Sequence, residues 1–283
     1  MGNHSTPEPQ ASDFFTDYVT AVENHVKQEK VHQYARWWFR GHPNISWKLE
    51  PRVYREGFVS PDSNAQREEQ DRQLKERHLF MDFRDMSAGL IEPAVSAYQM
   101  YFAQQHYGMP TRLLDWTTDP LVALYFATAP AHKKIECADG GFKEQPQDGA
   151  IYILDAYQMV PLQDGPDRFG IGTVRQPKVK ESLERIVFWR DDMDFANFAF
   201  PVRPEQADIR IKSQAGCFTF HVPVMPQLDQ TRLKIKEIRV PHQDKAVLLR
   251  TLARIRVHPF GIFGDLGSLC TTLEYQYNPT NWT

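Results

Sequence analysis

The chain has 283 residues, 41 % of them hydrophobic and 24 % charged, with a net charge of −3. It can therefore bury a sizeable core as one large domain or two small ones, and no global attraction to nucleic acid or acidic membrane is built in, although local basic patches stay open. Cys137, Cys217 and Cys270 are odd in number and widely spaced, which argues against a disulfide scaffold or a cysteine zinc site and fits a reducing cytoplasm.

In chain order, residues 1–12 are polar and read as a disordered start. Met1-Gly2 with Ser5 and Thr6 also fits the loose myristoylation pattern, against the plainer reading of a chance match. Ser12 or Asp13 can cap a helix to about Lys30, with Phe14, Tyr18, Val22 and Val26 on one face. Residues 35–40 read as an aromatic strand, and 63–86 as a long charged helix with Leu74, Phe80 and Phe83 inward. A further helix over 94–105 stops at Tyr107-Gly108-Met109-Pro110. Strand character then reaches Leu113-Leu114. Asp119 is a natural N-cap for a helix opened by Pro120, apolar nearly all round and therefore buried. The N-terminus of that helix is a place to hold an anion, such as a phosphate.

Residues 139–148 read as a loop, 149–155 as a strand, 160–173 as a Gly/Pro-rich connection and 185–189 as a further strand. Within 207–222 the run from Gln214 to Val222 alternates as a strand, as does 233–240, which suits a sheet edge. Residues 242–255 and 265–275 read as closing helices. Strands and helices do not alternate regularly, so the fold class is α+β: one globular domain over 13–283, helical to about 106, sheet-rich over 107–241, with C-terminal helices over 242–276. No stretch is apolar enough to span a bilayer, and no hydrophobic signal core opens the chain. GxGxxG, GxxxxGK[ST] and HExxH are missing, and the ten histidines show no metal-ligand spacing.

Several polar residues stand out against this background. Arg40 emerges from Trp37-Trp38-Phe39, aimed either at an anionic ligand or at an internal carboxylate such as Asp115. Thr111, Asp115 and Thr117 share one face of a strand and Arg112 the other; they read as a ligand-binding strand and turn, or as a structural pair and cap. His106 is either a base or ligand contact, or a buried histidine bonded to backbone. Gln214, next to Ala215-Gly216, marks a close approach to a ligand or a bulge.

Phe39-Arg40-Gly41, Trp47 to Arg52 with Arg55, Gln105-His106, Gly108, the run Pro110 to Trp116, Pro120 and Ala123 to Ala127 together resemble the FRG domain, named for the first tripeptide. Arg210-Ile211, Gln214, Gly216 and Phe218 resemble its later motif, and Phe263 to Leu266 its closing helix, so the resemblance runs over roughly 30–275.

The order of these features is also distantly similar to ADP-ribosyltransferases. That likeness implies NAD as substrate, with Arg40, Asp115 and Gln214 in catalytic positions. Arg40, His106, Thr111, Arg112 and Thr117 would hold the nucleotide, and an unidentified protein or nucleic acid would accept the ADP-ribose. One departure matters. That family's later strand carries a glutamate, and none occurs here between Glu205 and Glu237. Glutamine can hydrogen-bond a ribose hydroxyl but cannot take a proton, so Asp115, or Glu68 or Glu69 of the long helix, would have to substitute. The alternatives are a nucleotide- or nucleic-acid-binding module without catalysis, or a protein-interaction domain.

Overall fold

A computed structural model describes residues 13–27, 37–61, 64–91, 96–136, 142–159, 172–173, 199–204, 209–223 and 226–278. The expected disordered start, the myristoylation pattern, the strand at 185–189 and most of the 160–173 connection lie outside these residues.

The core of the fold is a seven-stranded sheet. Its strands are β1 (Trp37–His42), β2 (Leu113–Thr117), β5 (Gly149–Asp155), β6 (Gly172–Thr173), β7 (Phe200–Arg203), β8 (Gly216–Phe220) and β9 (Lys236–Val240), in the spatial order β6-β7-β8-β2-β1-β5-β9. All neighbours are antiparallel except β6 and β7. The α+β reading holds, and β9 is an edge strand as its alternation predicts. A separate ribbon pairs β3 (His132–Glu136) with β4 (Phe142–Pro146). This corrects the expected loop over 139–148; a two-stranded ribbon off the main sheet has little apolar alternation to announce it.

Eight helices are present among the described residues: α1 (Asp13–Lys27), α2 (Ala65–Met86), α3 (Ala97–His106), α4 (Pro120–Thr128), α5 (Ile209–Ser213), α6 (Lys245–Arg254), α7 (Pro259–Phe263) and α8 (Leu266–Tyr277). Asp119 caps α4 by accepting from the Leu121 amide at 2.8 Å, with Pro120 in the first turn. In α1, Tyr18 and Val22 are buried, as their spacing predicts. In α2, Phe80 is buried but Leu74 is exposed, and the second buried residue is Glu76. A carboxylate at a core position is set by a distant partner, so helical periodicity misses it.

The sheet buries both faces. On one, Trp38, Leu114, Trp116, Tyr152, Leu154 and Cys217 pack under Leu49, Met159, Leu228 and Ile235. On the other, Phe39, Ile151, Ile153 and Val240 meet α1, α4 and α6, while Leu113, Phe218 and Phe220 meet α2 and α3. Helix α4 lies so close to the strands that a Cβ on Gly41 would overlap the Ala123 carbonyl oxygen, and one on Gly149 the Ala127 carbonyl oxygen. The small Ala123 and Ala127, both fully buried, permit that approach. No described helix is long and apolar enough to cross a membrane.

Candidate functional site

Strands β1 and β2 are sequence-distant neighbours joined by a single register pair, Phe39 with Thr117. Beyond it the ladder opens. An unpaired strand carbonyl needs another donor, and Arg40 supplies it: its Nη1 donates to the Asp115 carbonyl oxygen at 2.5 Å and stands 3.7 Å from the Asp115 carboxylate. Its Nε donates to His42 Nε2 at 2.7 Å. Burial pushes the Arg40 guanidinium down to about 10, partly offset by Asp115 and reinforced by Arg55.

The Asp115 side chain remains 56 % exposed. Gln105, from the last turn of α3, donates to Asp115 Oδ2 at 2.8 Å, and the Thr111 hydroxyl in turn donates to Gln105 Oε1. The carboxylate is thus oriented from behind while its front faces solvent. Beside it opens a cleft of about 190 Å³, lined by Gln105, His106, Asp115, Trp116, Gln214, Phe218 and neighbours. His106 stacks on Tyr107 with ring centroids 4.8 Å apart.

Gln214 reaches the cleft from the turn between α5 and β8. The next residue, Ala215, holds φ at 46°, a left-handed conformation that costs a non-glycine residue energy. The Gln214 Nε2 is buried with no hydrogen-bond partner among the described residues. An unmade bond of that kind costs about 1–3 kcal/mol and suits a donor held ready for a ligand acceptor. Ahead of the turn, Arg210 and Ile211 lie on the short helix α5.

The remaining residues expected at the site have internal partners. Thr111 is fully buried and also accepts from the Leu113 amide at 3.0 Å, so it supports Gln105 and does not line the cleft. Thr117 donates to the Gln214 carbonyl at 2.6 Å and accepts from the Asp119 amide, tying β2 to the Gln214 turn. Arg112 forms a buried ion pair with Glu76, Nε to Oε2 at 2.7 Å, with Tyr101 donating to the other carboxylate oxygen at 2.5 Å. Glu68 and Glu69 pair with Arg72 on α2 and do not line the cleft. The N-terminus of α4 is closed by the Asp119 side chain and is not part of the cleft wall.

Two further arginines approach the same mouth, both quoted in the sequence motif without an assigned role. Arg52 donates to the carbonyl of Gly108, a cleft residue, and Arg55 donates to the Glu50 carbonyl at 3.0 Å. Burial and the neighbouring Arg52 lower Arg55, opposed by Glu50 and Asp115. Arg40 and Arg55 thus both act on the Asp115 carboxylate, Glu50 also faces Arg55, and Arg52 reaches the cleft through the Gly108 carbonyl.

The tripeptide at the head of the motif can now be read physically. Phe39 is core, Arg40 closes the gap between strands and Gly41 seats a helix. Residues 35–136 match the FRG domain. No curated protein and no solved structure matches it.

Proposed function

We propose that the Arg40–Asp115 cleft binds a nucleotide and that its chemistry is glycosyl transfer from NAD, either to a protein or nucleic-acid acceptor or to water. The observation that carries this reading is the solvent-facing Asp115 carboxylate, oriented by Gln105, with Arg40 and Arg55 acting on it and Arg52 at the cleft residue Gly108. Guanidinium groups hold phosphates through paired N–H donors. A cleft of about 190 Å³ is smaller than the roughly 300–1,000 Å³ that encloses a drug-sized ligand. It would therefore enclose one end of a dinucleotide, with the pyrophosphate on the arginine rim.

In this reading Asp115 stabilises the cationic ribosyl centre as the nicotinamide leaves and receives the proton of the attacking hydroxyl or water. The free Gln214 Nε2 donates to a ribose hydroxyl. Because Gln214 cannot take a proton, Asp115 carries all the acid–base work. The same reading places the protein in the cytoplasm, where NAD is available. Binding without turnover is the second reading, favoured by the amide at position 214.

The test is calorimetric titration with NAD, followed by nicotinamide release with protein, RNA and DNA acceptors. Arg55→Ala should weaken binding about ten-fold or more, since a charge-assisted bond contributes about 1.5–3 kcal/mol. Failure to bind at millimolar NAD would remove the enzyme reading. Binding without release would leave the second, and Gln214→Glu would then be the variant to assay for gained turnover.

A further inference from the structure

We infer that the groove between α6 and α8 is a docking site for an acidic amphipathic helix of a partner protein. This goes beyond the cleft reading and does not rest on it. The groove has a volume of about 510 Å³ and is lined by the apolar Ala253, Phe260, Leu269 and Leu273 and by Arg250, Arg254, Arg256 and His258. Phe260 and Leu273 are 40 % and 43 % exposed, although both sit on a groove floor. Among the described residues no acidic side chain lines it; Glu274 on α8 is the neighbour of Leu273 but not part of the wall.

Arg250 and Arg254 stand one turn apart on α6, and Arg256 follows just past its end. None of the three has a carboxylate within ion-pair distance among the described residues. Unpaired cations repeated along one wall call for anions repeated at a similar spacing. A single-headed amphiphile would satisfy one of them. A helix with carboxylates at successive turns satisfies the row, and its neighbouring apolar stripe fills the floor. An extended nucleic acid also repeats its charge, but it offers the apolar floor little beyond stacking on Phe260.

Arg256 gives a second, independent observation. It sits just after the helix C-cap with φ at 72°, the position and conformation where glycine is the unstrained choice. An arginine there strains the backbone and adds a cation to the groove rim.

The probe is a fluorescein-labelled peptide of about 15–20 residues, long enough to form a helix on binding, with Glu at successive turns and Leu and Phe on the adjacent stripe. Anisotropy titrations of the full chain compare it with a scrambled peptide of equal composition and with oligouridine of equal charge. The designed peptide should bind and gain helical circular dichroism, and binding should weaken with salt. The double variant Arg250→Glu/Arg254→Glu should weaken binding about ten-fold or more. Arg256→Gly should weaken it while leaving Tm unchanged or higher, which separates recognition from folding. No binding of the designed peptide, equal binding of the scrambled one, tighter binding of oligouridine, or an affinity untouched by the double charge reversal would overturn the proposal.

Discussion

Glu76 and Asp115 are both carboxylates beside an arginine, and their surroundings give them opposite weights. Glu76 is 2 % exposed and its partner Arg112 is also buried. Removing one charge of such a pair strands the other, so Glu76→Gln should cost about 3–5 kcal/mol, read as a lowered urea midpoint. Asp115 is half-exposed, and exposed pairs are worth about 1 kcal/mol or less. Asp115→Asn should therefore leave the midpoint nearly unchanged while abolishing any nicotinamide release; a large loss of stability would make the carboxylate structural. His42 sets a third case. Burial, reinforced by Arg40 and Arg55, pushes its imidazole down to about 2. The unfolded chain takes up that proton near pH 6.5 and the folded chain does not, so above about pH 6.5 the group has no effect and below it the fold loses stability as pH falls, by at most about 1.4 kcal/mol per pH unit. Urea unfolding at about pH 7 and pH 5.5 should show this slope in the native chain and a shallower one in His42→Gln.

At the scale of elements, α4 and its seat were legible from local chemistry. Asp119-Pro120 announces the cap, and the apolar residues that follow announce burial. Gly41 carries the rest. Gly41→Ala would drive a methyl group into the α4 backbone rather than into a flexible side chain, so the loss should exceed the usual overpacking cost of about 1–3 kcal/mol. The thermal midpoint measures it, and a midpoint within error of the native chain would contradict the close packing described here. Helix α5, Ile209–Ser213, goes unannounced in the sequence, because five residues carry too little periodicity and the left-handed Ala215 that follows leaves no local signal in an alanine. The buried Glu76–Arg112 pair was missed for a related reason. Its partners are 36 residues apart, and α2 alone reads as a solvated charged helix.

At the scale of the whole molecule, the polar residues singled out in sequence divide into two groups. His106, Asp115 and Gln214 line one opening and Arg40 touches it through Asp115, while Thr111 and Thr117 brace it from behind and Arg112 pairs with Glu76 in the core. Residue type marked both groups as important, but only the register of the strands separates them. That register has a mechanical side. The sheet is two plates, β6-β7-β8-β2 and β1-β5-β9, fastened at one rung. Each plate is stiffened by its own helices, with α2 and α3 backing Leu113, Phe218 and Phe220, and α1, α4 and α6 backing Phe39, Ile151, Ile153 and Val240. Across that seam a side chain takes over where backbone pairing stops. Arg40 is the latch across the two plates.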